Sequence, residues 1–307
     1  MRIVFMGTPD FAVPSLVEIF QSQHRLISVV TPPDKRSGRG LCVSACAVKK
    51  VAEKMDIPVV QPEKLLDSEF IRWLNSAKPD LIIVVSFQIL PPEIFTIPHK
   101  GTVNLHASLL PEYRGAAPIQ RAIMSGENET GATTFLIDET VDTGKILLQD
   151  KIQIGENETF GALHDRLSQL GAKLLVKTID GIAESTIVPK SQDSSKASRA
   201  PKIKPKTCRI RWEKSAIEIH NKIRGLSPIP AAFTFWNNKR IKIFLSQIVD
   251  SATKLLQGEW MIENERWFVG CADGTIEILE VQIEGKKRMT ANHAVRGIKA
   301  NGIQSFD

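Results

Sequence analysis

From Arg2 to Ile182, short apolar runs alternate with segments whose apolar residues recur at helical spacing. Arg2–Met6 is an apolar run that stops at Gly7, and Phe11, Val13, Leu16, Val17 and Phe20 then fall on one helical face. Leu26–Val30 predicts a second strand, Ala47–Met55 a helix, Val59-Val60 a short extended piece and Phe70–Asn75 another helix. Leu81–Val85 is apolar without interruption, as a strand buried on both faces of a parallel sheet must be. Val103–Leu105 and Thr133–Leu136 predict further strands, with a helix at Gln120–Met124 between them. Leu163–Leu170 and Leu174–Ile182 predict one or two closing helices. This alternation predicts an open, mostly parallel, Rossmann-like α/β sheet with helices on both faces and ligands at the C-terminal ends of its strands.

The pattern breaks between Val188 and Pro205. Ser191–Ser198 is polar, and Ala200–Lys206 is basic and punctuated by proline, which reads as an interdomain linker. Beyond it, Ala216–Arg224 predicts a helix. Short strand-like runs follow at Ala232–Trp236, Ile241–Leu245, Gly258–Ile262, Trp267–Cys271 and Thr275–Val281, with turn signals at Asn237-Asn238 and Asp273-Gly274. Strands this short predict a small antiparallel β-barrel of the oligonucleotide-binding (OB-like) kind. The expected organisation is a catalytic domain over residues 1–189, a basic linker over 190–206 and a C-terminal barrel over 207–307.

Charge sharpens that division. Residues 1–190 hold 20 Lys/Arg against 22 Asp/Glu, whereas residues 191–307 hold 20 against 12, net charges of −2 and +8. Lys196, Arg199, Lys202, Lys204, Lys206, Arg209 and Arg211 follow one another with no acid among them. Such asymmetry points to a polyanionic partner for the C-terminal part, nucleic acid first. No run of about 18 apolar residues predicts a membrane span, and the first residues lack the features of a signal peptide, so a cytoplasmic protein is expected. Cys42, Cys46, Cys208 and Cys271 match no metal-ligand spacing and read as free thiols, with no metal expected. Gly7-Thr8-Pro9-Asp10 lacks the spaced glycines of a dinucleotide site. Pro32–Gly40 reads as a loop with three cations, either solvated or a clamp on an anionic substrate.

Candidate chemistry concentrates in Val103-Asn104-Leu105-His106-Ala107-Ser108-Leu109-Leu110-Pro111-Glu112-Tyr113-Arg114-Gly115. Side chains two apart in a strand share a face, so Asn104 and His106 face one space, with Arg114 nearby as an anion-seeking group. An amide donates without titrating, and an imidazole ordinarily titrates about pH 6.5. Asp142, in Glu139-Thr140-Val141-Asp142-Thr143-Gly144, offers a carboxylate to orient the imidazole or accept a proton. Asn, His and Asp include no good nucleophile, which favours direct attack by a substrate amine on a carbonyl.

Asn104-Leu105-His106-Ala107-Ser108-Leu109-Leu110-Pro111 closely resembles the signature of the 10-formyltetrahydrofolate-dependent formyltransferases. Tyr113–Gln120, Phe5–Phe11, Asp142-Thr143-Gly144, Lys35–Gly40, Arg224–Pro228 and Gly285–Met289 extend the resemblance over nearly the whole chain, toward the branch that acts on aminoacylated tRNA. The resemblance implies formyl transfer from 10-formyltetrahydrofolate, as co-substrate, to the α-amine of methionine carried on initiator tRNA, through a tetrahedral oxyanion, by a monomer. It implies that Asn104, His106 and Asp142 are catalytic. Ser108, Leu109, Leu110 and Pro111 would contact the folate, and Val85, Phe87, Gln88 and Leu90 would line its pterin pocket. Arg36 and Arg39 in the basic loop, with Lys202, Lys204 and Lys206 in the linker, would meet the tRNA.

The chain departs from the family pattern at Phe87-Gln88, where many relatives carry glycine second, and in its unusually basic linker. Two other functions use the same features: formyl transfer to a small amine, and tRNA binding without catalysis. The basic C-terminal part separates the first of these from transfer to tRNA, because a small substrate does not require it.

Overall fold

The unbroken apolar run Leu81–Val85 becomes the middle strand of a seven-stranded sheet, with all five side chains buried. The computed structural model describes residues 1–37, 42–250, 254–298 and 302–307. In chain order the elements are β1 (Arg2–Gly7), α1 (Val13–Gln21), β2 (Arg25–Val30), β3 (Lys35–Ser37), β4 (Cys42–Ser44), α2 (Ala47–Lys54) and β5 (Val59–Val60). Then come α3 (Ser68–Ala77), β6 (Leu81–Val85), α4 (Pro92–Phe95), β7 (Thr102–His106), α5 (Pro118–Ser125), β8 (Glu129–Leu136), β9 (Ile146–Gln153) and α6 (Phe160–Ala183). The remainder is α7 (Pro205–Cys208), α8 (Ala216–Leu226), β10 (Ala232–Trp236), β11 (Lys239–Val249), β12 (Glu259–Glu263), β13 (Arg266–Gly270), β14 (Thr275–Ile283), β15 (Met289–Thr290), α9 (Ala291–Val295) and β16 (Gln304–Ser305).

The first sheet runs β5-β2-β1-β6-β7-β8-β9. β1, β2, β5, β6 and β7 pair in parallel, and β8 runs antiparallel to β7. The strand order reverses at β1, with β2 on one side and β6 on the other, so the crevice beside the strand ends opens near Gly7, Val85 and His106. This is the open, mostly parallel α/β sheet that the alternation predicts. Differences from the sequence reading have local causes. β9 carries Gln149-Asp150-Lys151 within it, and its alternating burial is that of an edge strand half in water. Leu163–Ile182 lies within one helix of 24 residues, one of the two alternatives that the spacing allows, and Gly171 lets that helix pass close to β7: a Cβ there would stand 2.7 Å from Leu105 Cδ2. The cationic segment read as a loop contains a hairpin, β3 against β4.

The second sheet is antiparallel, in the order β10-β11-β14-β13-β12-β16, with β15 against β14. Register shifts near Ile243 and Leu245 bend β11, as bulges do, and the sheet curls into the half-barrel expected of a small barrel domain. Its interior stacks Trp212, Trp260, Trp267 and Phe306, and Trp260 and Trp267 are fully buried. A capping box joins Ser215 and Glu218 at the start of α8, which buries Ile219, Ile223 and Leu226.

Backbone proximity divides the chain into two units that interleave in sequence. One comprises Met1–Gly115, Gly131–Ile152 and His164–Ala200; the other comprises Ala116–Thr130, Gln153–Leu163 and Pro201–Asp307. The polar segment up to Ala200 therefore packs as part of the first unit. Among the described residues no helix is long and apolar enough to cross a membrane, and no cluster could hold a metal ion. Cys46 is partly exposed, while Cys208 and Cys271 are buried free thiols; burial pushes the Cys271 thiol up to about 12.

His220 is buried on α8, with its Nδ1 3.1 Å from Ser246 Oγ. Burial pushes its imidazole below the ordinary range; the Arg224 guanidinium adds to this, and Glu156 opposes it. A histidine held neutral only in the folded state contributes stability above its unfolded pKa of about 6.5. That contribution is lost as pH falls below this value toward the depressed native one. Urea unfolding at about pH 7.5 and about pH 5.5 should therefore show a smaller stability loss in His220→Gln than in the parent protein.

Candidate active site

β7 ends at His106 and carries Asn104 two residues earlier on the same face. Val103 and Leu105, on the opposite face, are buried in the sheet packing. Asn104 is half-buried, and its side-chain amide takes no hydrogen bond among the described residues. An accessible donor on a rigid strand is thus left for a ligand. The His106 ring is almost covered, and its Nε2 lies 2.9 Å from the Tyr113 carbonyl oxygen. A carbonyl only accepts, so Nε2 carries the hydrogen and Nδ1 is turned to the other side. There Asp142 Oδ2 stands 3.8 Å away, with its side chain 10% exposed. The two are neighbours without a direct hydrogen bond; Asp142 Oδ2 instead accepts from the Gly115 amide at 2.8 Å.

The Asp142 loop is braced partly from within and partly by its fit against β8. Asp138 Oδ1 accepts from the Thr140 amide and from Thr143 Oγ1, at 3.1 and 2.8 Å. Asp142 itself has φ of 59° in the left-handed region, and a Cβ on Gly144 would fall 1.6 Å from the Leu136 carbonyl oxygen. The loop can therefore lie this close to β8 only with glycine at that position.

The loop after His106 is pinned from β8 and β9. Thr133 Oγ1 donates to the Ser108 carbonyl at 2.7 Å and accepts from the Leu110 amide at 3.1 Å. Gln149 Nε2 reaches both the Leu110 carbonyl and Thr133 Oγ1 at 2.9 Å. The Leu110–Pro111 peptide is cis. Ser108 is fully buried, and its hydroxyl closes the turn on the Glu112 carbonyl at 2.7 Å. Leu110 is buried as well, leaving Leu109 and Pro111 partly accessible. At the end of β6, Val85 is buried and Leu90 packs with Val4, Met6 and Ile82. Phe87 is half-buried, Gln88 is exposed, and Ile89 is 77% exposed, forming an apolar rim at the strand ends.

The remaining candidates divide. Lys202, Lys204 and Lys206 are exposed in the second unit. The Arg36 backbone pairs with Val43 in the β3–β4 hairpin, and Arg39 lies outside the described residues. Arg114, read from the sequence as an anion-seeking group, is already engaged: its Nε and Nη2 donate to Gln192 Oε1 at 3.1 and 2.6 Å. The sequence reading missed the Tyr113 carbonyl, the Gly115 amide, Thr133, Gln149 and Gln192. Two of these are backbone groups, and the others are single polar residues with no periodic signal.

Removing the Thr133 hydroxyl while keeping its shape leaves the Leu110 amide and the Gln149 amide each short of a partner. Thr133→Val should cost about 1–3 kcal/mol of stability in denaturant unfolding, the usual penalty for orphaned buried polar groups.

Both halves of the chain match family models, "Formyl transferase" over residues 1–179 and "Formyl transferase, C-terminal domain" over residues 202–299. A methionyl-tRNA formyltransferase from Thermodesulfovibrio yellowstonii is 44% identical, over 99% of this chain and 98% of its own. Two solved structures share the fold. An N-formyltransferase from Helicobacter canadensis, in complex with folinic acid and dTDP-3-aminofucose, has a TM-score of 0.67 at 23% identity, covering 90% of this chain and 98% of its own. A methionyl-tRNA formyltransferase from Clostridium thermocellum has a TM-score of 0.56 at 18% identity, covering 81% and 94%. A strand face bearing amide and imidazole beside a loop carboxylate, in a chain matched over nearly its full length, places this protein in the formyl transferase family.

Proposed function

We propose that this chain transfers the formyl group of 10-formyltetrahydrofolate to the α-amine of methionine esterified to initiator tRNA. The observation that carries the reading is the Asn104–His106 face, with Asp142 beside it and no nucleophile there among the described residues, in a chain similar from end to end to a methionyl-tRNA formyltransferase.

The residues present fit a folate. The apolar rim of Phe87 and Ile89 suits a flat ring, and the pinned Leu109–Pro111 turn offers a fixed edge beside the Asn104 side-chain amide, which has no partner among the described residues. The folate supplies an electrophilic formyl carbon. Asn104 then provides a neutral donor toward the oxygen on which charge develops, and such a donor is most effective when fixed in advance, as a strand fixes it. His106 provides the ring nitrogen that receives a proton. With Nε2 tied to Tyr113, proton traffic falls to Nδ1, and Asp142 Oδ2 is the acceptor nearest that atom. As the amine bonds to the formyl carbon, the bond from that carbon to the folate nitrogen would break; the amine proton leaves toward this pair and returns to that nitrogen, so tetrahydrofolate departs, and the low exposure of both side chains keeps bulk water out of the exchange. The site has no need of a covalent enzyme intermediate.

The net charge of +8 after residue 190 supports tRNA over a small amine as acceptor. Exposed Lys202, Lys204 and Lys206 are the proposed phosphate contacts, with Arg36 and Arg39 meeting the aminoacyl end. In the second unit, Arg240 lies over Phe233 at 5.1 Å and Arg209 over Phe235 at 5.6 Å, adding cations held against half-buried rings.

Incubation with 10-formyltetrahydrofolate and methionylated tRNA, scored for blocked α-amine, tests the reading. Initiator tRNA should be formylated well ahead of an elongator control, and absence of blocked amine on both would overturn it. Replacing Lys202, Lys204 and Lys206 together by alanine should weaken tRNA binding and reduce the slope of log affinity against log salt by about 2 to 3.

A further inference from the structure

Resting on the formyl-transfer reading above, we infer that Gln192 is a positioning residue for the reaction. Its side chain joins the loop that carries Asp142 to the loop that holds His106. The Gln192 Nε2 amide donates to the Asp142 carbonyl at 3.0 Å and to the Gly144 carbonyl at 2.8 Å. Its Oε1 accepts both hydrogen bonds from Arg114. Two donors and two acceptor sites are all that a carboxamide has, and all four are used. The orientation is also unique, because a flipped amide would set NH2 against the guanidinium and oxygen against two carbonyls.

The segment around Gln192 is fastened on both sides. Lys190 and Ile146 exchange backbone hydrogen bonds, each of 2.8 Å. Further on, Ser198 accepts from the Tyr113 amide through Oγ at 2.8 Å and from the Arg114 amide through its carbonyl at 2.9 Å, and the Ala200 amide donates to the Arg114 carbonyl at 2.7 Å. This strap therefore grips Tyr113 and Arg114 and, through Gln192, Asp142 and Gly144. Tyr113 supplies the carbonyl on His106 Nε2, and Gly115 supplies the amide on Asp142 Oδ2. Asp142 has its backbone in the left-handed region, which few non-glycine residues occupy, and Gln192 binds the carbonyl of that same residue. Gln192 thus sets the spacing of imidazole and carboxylate without touching substrate.

Single-turnover formylation with enzyme in excess tests this. Gln192→Ala should slow turnover on the order of 10²-fold, the usual effect of an ångström-scale misplacement, with folate binding unchanged. Gln192→Glu keeps the acceptor for Arg114 but turns an oxygen toward the Asp142 and Gly144 carbonyls. It should lose a comparable factor, and it serves in place of the alanine variant should that fail to fold. In an Asp142→Asn background the loss on adding Gln192→Ala should shrink to about twofold or less, because the group being positioned is already gone. Equal factors in both backgrounds, or no loss in the single variants, would overturn the proposal. NMR of the Gly115 amide and the His106 ring gives a readout independent of turnover: both resonances should shift in Gln192→Ala and Gln192→Glu. If the parent protein formylates no methionyl-tRNA, the functional reading fails, and unmoved resonances would then reject the role of Gln192 separately.

Discussion

The site depends on three consecutive backbone positions, Tyr113 to Gly115. The Tyr113 carbonyl holds His106 Nε2, and the Gly115 amide holds Asp142 Oδ2. Imidazole and carboxylate, on separate stretches of chain, are therefore referred to one loop. Their 3.8 Å separation follows from where that loop sits and does not come from a bond between them. Both polar groups are nearly covered, so each needs a fixed partner in the resting state. Backbone groups supply those partners at a defined place with little freedom of their own.

The sheet explains why this loop can be so definite. β7 is flanked by β6 and β8, and α6 packs on it closely enough that Gly171 cannot carry a side chain without meeting Leu105. Asn104 and His106 thus stand on a strand that cannot shift without disturbing the core. From β8 and β9, Thr133 and Gln149 hold the following turn through its backbone. Asn104 differs from its neighbours in having no partner among the described residues, which suits a group whose work begins when a ligand arrives. On the proposed reading, rigid support around this donor is the physical form of electrostatic preorganisation.

Much of this was legible in the sequence. The continuous apolar run Leu81–Val85 predicted a central strand, and period-two spacing put Asn104 and His106 on one face. The alternation of elements gave the open sheet, and the short strands after Ala232 gave the second, antiparallel one. What could not be read was what periodicity does not encode. β9 hides its strand character behind Gln149-Asp150-Lys151, because an edge strand can turn polar residues outward. Gln192 lies in a polar stretch that reads as linker, and its importance arises from a contact with residues about fifty positions earlier. Arg114 looked available for an anion, and only packing reveals that Gln192 has taken its guanidinium.

On the proposed reading, Asn104 is a preorganised donor to a developing oxyanion, in a site without a nucleophile among the described residues. The most direct measurement is the single-turnover formylation rate of Asn104→Ala, at saturating folate and methionyl-tRNA, with folding verified. Loss of one such donor should slow transfer by about 10²–10³-fold while leaving binding of both substrates intact. A folded Asn104→Ala protein that transfers formyl at the parental rate would contradict the account.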